Sequence, residues 1–408
     1  MFACVDCANP HTLRSGDKMS FQLKKIKDVG KVFTGKTPSK VVEGYFGGDI
    51  PFVTPAELDK EQFVFSSQQT LTQLGADQIK LLPKNAVMVC CIGSLGKIGI
   101  AGKELATNQQ INSVVFDDKQ IDFKYGFYAL SRLKPLMEKI APLTTVPIIN
   151  KSNFEQLEIP VPSLSTQTQI AKILDKSTAL IAKRKAQIAE LDVLVQSVFL
   201  EMFGDPITNP KGWEIGKIKD VILKSQYGTS NKASETEGEY PILRMNNITY
   251  QGEMDYSNLK YIDLDEKDKE KHLVHKGELL FNRTNSKELV GKTGLYNLDK
   301  PMAFAGYLIK IIPNKEKINS QFLLAYMNSK YIKAILFNMA KNIIGMANIN
   351  AKEMENISLY IPELNLQTQF AQIVEKIQTQ KSQLQQSLVE LEMQHQALMQ
   401  RAFRGELV

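Results

Sequence analysis

Asn150–Lys176 reads NKSNFEQLEIPVPSLSTQTQIAKILDK, and Asn350–Lys376 reads NAKEMENISLYIPELNLQTQFAQIVEK. The two stretches align at a constant offset of 200 without a gap, and ten of the 27 positions are identical. Among them are Pro162/Pro362, Leu164/Leu364 and the run Gln167-Thr168-Gln169 over Gln367-Thr368-Gln369. The match continues to Glu190-Leu191 over Glu390-Leu391 and to Phe203 over Phe403. Upstream, Ile26-Lys27-Asp28-Val29 recurs as Ile218-Lys219-Asp220-Val221, and Gly96-Lys97 with Gly99 echoes Gly291-Lys292 with Gly294. A period of about 200 residues is far longer than a solenoid repeat, so the chain carries two copies of one domain, each followed by one copy of a helix.

The helices read directly from their spacing. Steps of three and four from Leu174 pass Ser177, Ile181, Arg184, Ile188, Leu191, Val195, Val198 and Met202. The same register in the second copy passes Val374, Ile377, Lys381, Leu384, Leu388, Leu391, His395, Leu398 and Ala402. Seven of nine positions are apolar in each copy, which is a heptad seam. Two separate amphipathic helices, each lying on its own domain, are the plainer alternative. A helix of ~39 residues is about 58 Å long, whereas a domain of ~150 residues has a radius of gyration near ~15 Å. The seam therefore outruns its own domain, and the other copy is the nearest partner. Pro160, Pro162 and Pro362 precede the helices, Ser165-Thr166 and Asn365 are candidate caps, and Gly204 followed by Pro206 ends the first. Between the helices, residues 86–92, 111–116, 241–245, 278–282 and 307–312 read as strands, and 123–139 and 320–340 as helices.

Composition sets the bounds. With 408 residues and 43% hydrophobic content the chain suits two or three globular domains and excludes wholesale disorder. The longest apolar run, Ala86 to Ile92, is too short to span a bilayer, and the first twenty residues lack the apolar core of a signal peptide. Four cysteines do not make a disulfide framework, so a cytoplasmic setting is expected. The net charge of +6 is mildly basic and no basic tail is visible. A nucleic-acid surface would have to be assembled by folding.

Two variable domains, each followed by Pro-x-Leu-x-x-Gln and a long helix, resemble the specificity subunit of type I restriction–modification enzymes. Local phrases similar to that family's target recognition domains include Gly35-Lys36-Thr37-Pro38-Ser39, Asp49-Ile50-Pro51-Phe52-Val53-Thr54, Gly93-Ser94-Leu95-Gly96 and Ala106-Thr107-Asn108-Gln109-Gln110. In the second half they are Tyr240 to Ile248 and Phe281 to Ser286. The resemblance implies an α+β fold: two similar mixed α/β target recognition domains separated by a pair of long helices forming an antiparallel coiled coil. The expected division is an extension over 1–18, recognition domains over 19–164 and 204–363, and spacer helices over 165–203 and 364–408. It also implies a non-catalytic subunit that reads a bipartite, asymmetric site in double-stranded DNA. Two methyltransferase subunits would dock on it and bring S-adenosylmethionine, and ATP-dependent restriction subunits would complete the complex. This chain itself would need no cofactor, metal or membrane. A subunit of a methylation-only or fused restriction–methylation system fits equally.

Base edges in the major groove are read by Arg, Asn, Gln and shorter hydroxyl contacts. In the first half those residue types fall at Thr54, Ser94, Lys97, Asn108, Gln109 and Gln110, and in the second at Arg244, Asn246, Asn247, Arg283, Asn285 and Ser286. Each could equally be a turn former. Lys36, Lys97 and Lys292, beside glycines, suit phosphate contacts, which position without specifying.

Two other motifs are weighed against their context. Gly30 to Thr37 matches the phosphate-loop pattern G-x-x-x-x-G-K-T letter for letter, which makes a nucleotide-binding protein the rival of a different class. Lys24, Lys25 and Lys27 precede it where a buried strand belongs, and Pro38 follows where a helix belongs. Cys4, Cys7 and His11 offer part of a zinc set, but the other cysteines, Cys90-Cys91, sit inside an apolar strand.

Overall fold

The computed structural model describes residues 21–142, 146–343 and 346–408. The 1–18 extension, with Cys4, Cys7 and His11, lies outside the described residues. The chain divides into two compact units, one of residues up to Lys183 together with Leu388–Val408, the other Arg184–Ser387. Among the described residues no helix is long and apolar enough to cross a membrane.

In the first unit a sheet runs in the order Gly30–Thr34, Ile111–Phe116, Val87–Cys90, Ile98–Ala101, Phe63–Val64. A second, smaller sheet pairs Phe46–Val53 antiparallel with Gln69–Leu71 and parallel with Ala106–Thr107. The second unit repeats the plan. Ile222–Tyr227, Leu308–Pro313, Leu279–Asn282 and Thr293–Leu295 lie in that order, and Tyr240–Leu243 pairs antiparallel with Lys260–Ile262 and parallel with Met302–Phe304. The strands that cross the core are almost wholly apolar, as Val87–Cys90 and Leu279–Asn282 illustrate, because both of their faces are covered. The duplication seen in the sequence is thus a duplication of topology.

Each helical segment expected as one piece is two. Phe123–Ser131 and Lys134–Ile140 replace 123–139, and Ser320–Met327 and Lys330–Met339 replace 320–340. Pro135 in the first turn of Lys134–Ile140 has no N–H to donate to the preceding turn, so the first break is forced. At the second, Ser329 is extended and its hydroxyl accepts from the Ile332 N–H at 3.3 Å, which starts a new helix. The two long helices span Leu164–Phe203 and Leu364–Arg404. They begin one residue before the caps expected at Ser165-Thr166 and Asn365. In the first helix the cap is Ser163, whose hydroxyl accepts from the Thr166 N–H at 3.2 Å.

Gln167 and Gln367 explain the repeated motif. Both are fully buried. The Gln167 amide donates to the carbonyls of Pro162 and Gln120 and accepts from the Asp122 N–H at 2.9 Å. Gln367 likewise donates to Pro362 and accepts from the Asn319 N–H at 2.8 Å. Each glutamine ties the start of its long helix to the N-cap of a helix in its own domain, Asp122 of Phe123–Ser131 and Asn319 of Ser320–Met327.

Every seam position read from the spacing is buried or half-buried. In the first unit the N-terminal half of the first long helix lies against the C-terminal part of the second, and Ser177 Oγ meets His395 Nδ1 at 3.1 Å. In the second unit Lys381 Nζ meets Asp192 at 2.5 Å and Glu253 at 2.6 Å. Partners thus rise in number along one helix as they fall along the other, so the pairing is antiparallel. Three of the four polar interruptions of the heptad pattern, Ser177, His395 and Lys381, are satisfied in this way. The side chain of Lys381 is 5% exposed, and its two carboxylates hold its pKa above the ordinary lysine range against the opposing pull of burial. Removing only the ammonium, by Lys381→Ala, leaves two carboxylates facing each other across the joint. Because both are about a third exposed, a loss of about 1–3 kcal/mol is expected in denaturant unfolding. A change inside about 0.5 kcal/mol would mean that the amine is solvated and the pairing is held by apolar contacts alone.

Candidate nucleic-acid interface

In the first unit Thr54, Asn108, Gln109 and Gln110 line one open concavity of about 510 Å³, together with Thr37, Lys40 and Gln69. It forms where Phe46–Val53 and Ala106–Thr107 run parallel and deliver their C-terminal ends side by side. The polar residues there divide by hydrogen bonding. Asn108 is 8% exposed; its carbonyl oxygen accepts from the Gln110 N–H at 3.1 Å and its amide donates to Gln110 Oε1 at 2.9 Å. It folds the turn. The Thr54 hydroxyl is spent on Glu57 at 2.8 Å. Gln109 is exposed, and only its oxygen is engaged, accepting from the Thr37 hydroxyl at 2.6 Å. Its amide nitrogen has no hydrogen-bond partner among the described residues. Ser94 and Lys97 do not line this concavity and lie on the separate turn between Val87–Cys90 and Ile98–Ala101. Lys40 and Gln69 were not singled out from the sequence, and Thr37 only within the Gly35–Ser39 phrase, because they converge only through strand pairing between distant segments.

The phosphate-loop letters make no phosphate loop. Gly30–Thr34 is a strand paired residue by residue with Ile111–Phe116. The Gly35 and Lys36 N–H groups, which would cradle a phosphate, donate instead to the carbonyls of Ile111 and Thr107 at 3.0 Å. Cys90 and Cys91 are buried, and burial pushes the Cys91 thiol up to about 12.

In the second unit two arginines sit in loops that leave the sheets. The Arg244 guanidinium donates through Nη2 to the backbone and side-chain oxygens of Asn258, both at 3.0 Å. Asn247 is 2% exposed; its carbonyl oxygen accepts from the Arg244 N–H at 2.9 Å and its amide donates to the carbonyls of Asp255 and Asn258. Asn246, between them, is exposed. Arg283 stacks its guanidinium 4.8 Å from the Tyr227 ring centroid and donates through Nη2 to Asn348 Oδ1 at 3.1 Å. Among the described residues neither Arg244 nor Arg283 has a hydrogen-bond partner for its Nε. Asn285 accepts from the Ser286 N–H at 2.8 Å and so shapes the turn. Lys292, expected at a phosphate, is 7% exposed and donates to the carbonyls of Met245 and Ile248 at 3.1 and 2.6 Å. It anchors the 244–248 loop from beneath. Tyr227 and Asn348, which orient Arg283, carry no local sequence signal.

A family model described as the type I restriction modification DNA specificity domain matches residues 19–192 and again 210–393. The chain belongs to that family. The MjaIX type I specificity subunit of Methanocaldococcus jannaschii is 23% identical over 95% of this chain and 93% of its own length. The solved S subunit of a type I restriction–modification system from M. genitalium superposes with a TM-score of 0.56 at 17% identity, covering 96% of this chain and 98% of that one. A second solved chain, from a structure concerned with complex assembly and conformational transition of the type I system, gives a TM-score of 0.59 at 15% identity. It covers 95% of this chain and 98% of its own. At these identities the two structures share the fold.

The two specificity domains hold both kinds of polar residue, those that build a loop and those the loop displays. Asn247→Ala removes three hydrogen bonds from a buried amide and is expected to lower stability by about 1–3 kcal/mol. Asn246→Ala and Gln109→Ala, at exposed positions, are expected to stay within about 0.5 kcal/mol of the parent in the same unfolding measurement. Equal losses at all three would show that the displayed residues are structural too.

Proposed function

We propose that this chain is the sequence-reading subunit of a type I restriction–modification enzyme, and that each specificity domain reads one half of a bipartite site in double-stranded DNA. The observation that carries this is the duplication itself: two specificity domains of one topology, joined by an antiparallel helix pair. On this reading two like domains face two half-sites, as the local two-fold of duplex DNA allows. The displayed groups differ between domains, with Gln109, Thr37 and Lys40 in one and Arg283, Arg244 and Asn246 in the other. The half-sites should therefore differ and the whole site should not be a palindrome. Thr54, Ser94, Lys97, Asn108 and Gln110 in the first domain, and Asn247, Asn285 and Ser286 in the second, complete the proposed surfaces, several of them by shaping loops.

The helices contain 40 and 41 residues, about 60 Å each. On this reading their length sets the unread spacer, with an upper limit of roughly 17 base pairs for the span. Chemistry belongs to partners: two methyltransferase subunits would supply S-adenosylmethionine and transfer the methyl group, and ATP-dependent restriction subunits would join in the full complex. Apolar side chains left exposed on the helices support docking there: Leu180, Val193, Leu194 and Leu200 on the first, Val389 and Met393 on the second. A fused or methylation-only system would use this chain in the same way.

Removing one heptad from each helix, in register, is expected to change the length of the spacer in the methylated motif and leave the half-site letters intact. Altered letters would contradict a ruler. Arg283→Ala is expected to relax specificity in one half-site only, at a cost of about 1–3 kcal/mol for the base it reads. Uniform weakening across all sequences would instead assign Arg283 to a phosphate.

A further inference from the structure

A second cavity, of about 310 Å³, lies in the second unit and is lined by Tyr250, Lys287, Glu288, Val290, Lys292, Lys333 and Phe337. Three ammonium groups converge on it. Lys292 reaches it from beneath, with its head on the carbonyls of Met245 and Ile248. Lys333 lies 3.6 Å from the Tyr250 ring centroid and donates to the Tyr250 carbonyl at 2.6 Å. Lys287 lies 4.4 Å from the Phe337 ring centroid. The single carboxylate in the lining, Glu288, is exposed; it is engaged by Ser286 and attracted by the charge of Lys287 without forming an ion pair with it. No carboxylate among the described residues pairs with any of the three lysines.

Lys292 and Lys333 place charge here with no carboxylate beside them among the described residues. An ammonium has three protons; Lys292 uses two on carbonyls and Lys333 one, so donors remain on both. Burial, together with the neighbouring charge of Lys292, pushes Lys333 down to about 8. Burial lowers Lys292 as well. Two like charges held side by side without an anion cost stability, and an anion placed between them would reverse that cost. Tyr250 and Phe337 are 50% and 41% exposed, so aromatic faces stand at the rim beside the charges. The same lysines also hold the 245–250 loop by its carbonyls, directly beside Arg244 and Asn246.

We propose that this cavity binds a phosphate group, and that the group is a backbone phosphodiester of the DNA read by the second domain. Lys287 and Lys333 supply the direct contacts and Lys292 supplies charge from below. Seating the phosphate there would fix the register of the 244–250 loop against the adjoining bases. The site rests on the DNA-reading function proposed above but adds a contact outside the residues assigned to it.

The test uses the full chain assembled with its methyltransferase partners, a duplex carrying the methylated motif of the host, and a scrambled duplex. Affinities are measured by fluorescence anisotropy across a salt series for the parent, Lys287→Gln and Lys333→Gln. The expected result is that each substitution lowers the slope of log affinity against log salt by about one and weakens both duplexes alike. Lys287→Gln carries the test if Lys333→Gln disturbs the loop, because Lys287 holds no loop carbonyl. Unchanged slopes in a folded Lys287→Gln chain would overturn the site. Inorganic phosphate bound in a Lys333-dependent manner, with DNA slopes unchanged, would assign the cavity to a free anion and overturn the DNA source. If the unsubstituted complex shows no preference between the duplexes, the reading of the preceding subsection falls and takes this site with it.

Discussion

Each specificity domain has its hydrophobic core closed by the helix of the other repeat. In the first unit Ala402 and Phe403, at the end of the second long helix, join the core of the first domain, where Phe403 packs 5.3 Å from Tyr125 and under the Arg132 guanidinium. In the second unit Phe199 and Phe203, at the end of the first long helix, enter the core of the second domain against Phe322 and Phe370. Fully burying one such ring stabilises by roughly 1.5–3 kcal/mol. Neither repeat completes its core from its own residues, so the helix of each repeat contributes to the stability of the other domain. The junction after Phe203 is correspondingly well tied: Gly204 takes φ of +84°, Trp213 donates to the Phe203 carbonyl and Tyr360 to that of Gly204, both at 2.9 Å.

Apolar seams alone would not choose a register, since Leu and Ile can be shifted by a heptad at small cost. The polar interruptions can. His395 finds Ser177 and Lys381 finds Asp192 only in the antiparallel pairing seen here, and any slip would strand a buried polar group. Lys381 also reaches Glu253, so the register of the helices is linked to the recognition domain that carries the 244–250 loop. Three of the four residues that spoil the heptad pattern are those that make the pairing unique.

Much of the architecture was legible because it is written as repetition. The offset of 200 between Gln167 and Gln367, and between Phe203 and Phe403, marks positions where the same contact is made twice, and the strand within 86–92 announces itself by an unbroken apolar run. The helix breaks at Leu133 and Ser329 were missed because apolar periodicity passes across a single broken turn unchanged. The candidate interface was legible only in outline. Asn108 and Asn247 carry polar groups of the expected kind, yet spend them on neighbouring groups of their own loops, and residue type cannot tell a spent amide from a displayed one. Thr37, Lys40, Tyr227 and Asn348 come to the surface beside the expected residues through strand pairing between segments far apart in sequence. The phosphate-loop letters were the converse case, a strong local pattern whose N–H groups the sheet had already claimed.

A duplicated reader held by one helix pair should leave a single signature in the host genome. Methylation mapping of strains with and without the gene measures it directly. One methylated motif of two unlike parts separated by a fixed run of unspecified bases should vanish on deletion and return on complementation. A methylome unchanged by deletion in a strain whose partner methyltransferase is expressed, or a lost motif that is continuous or palindromic, would contradict it.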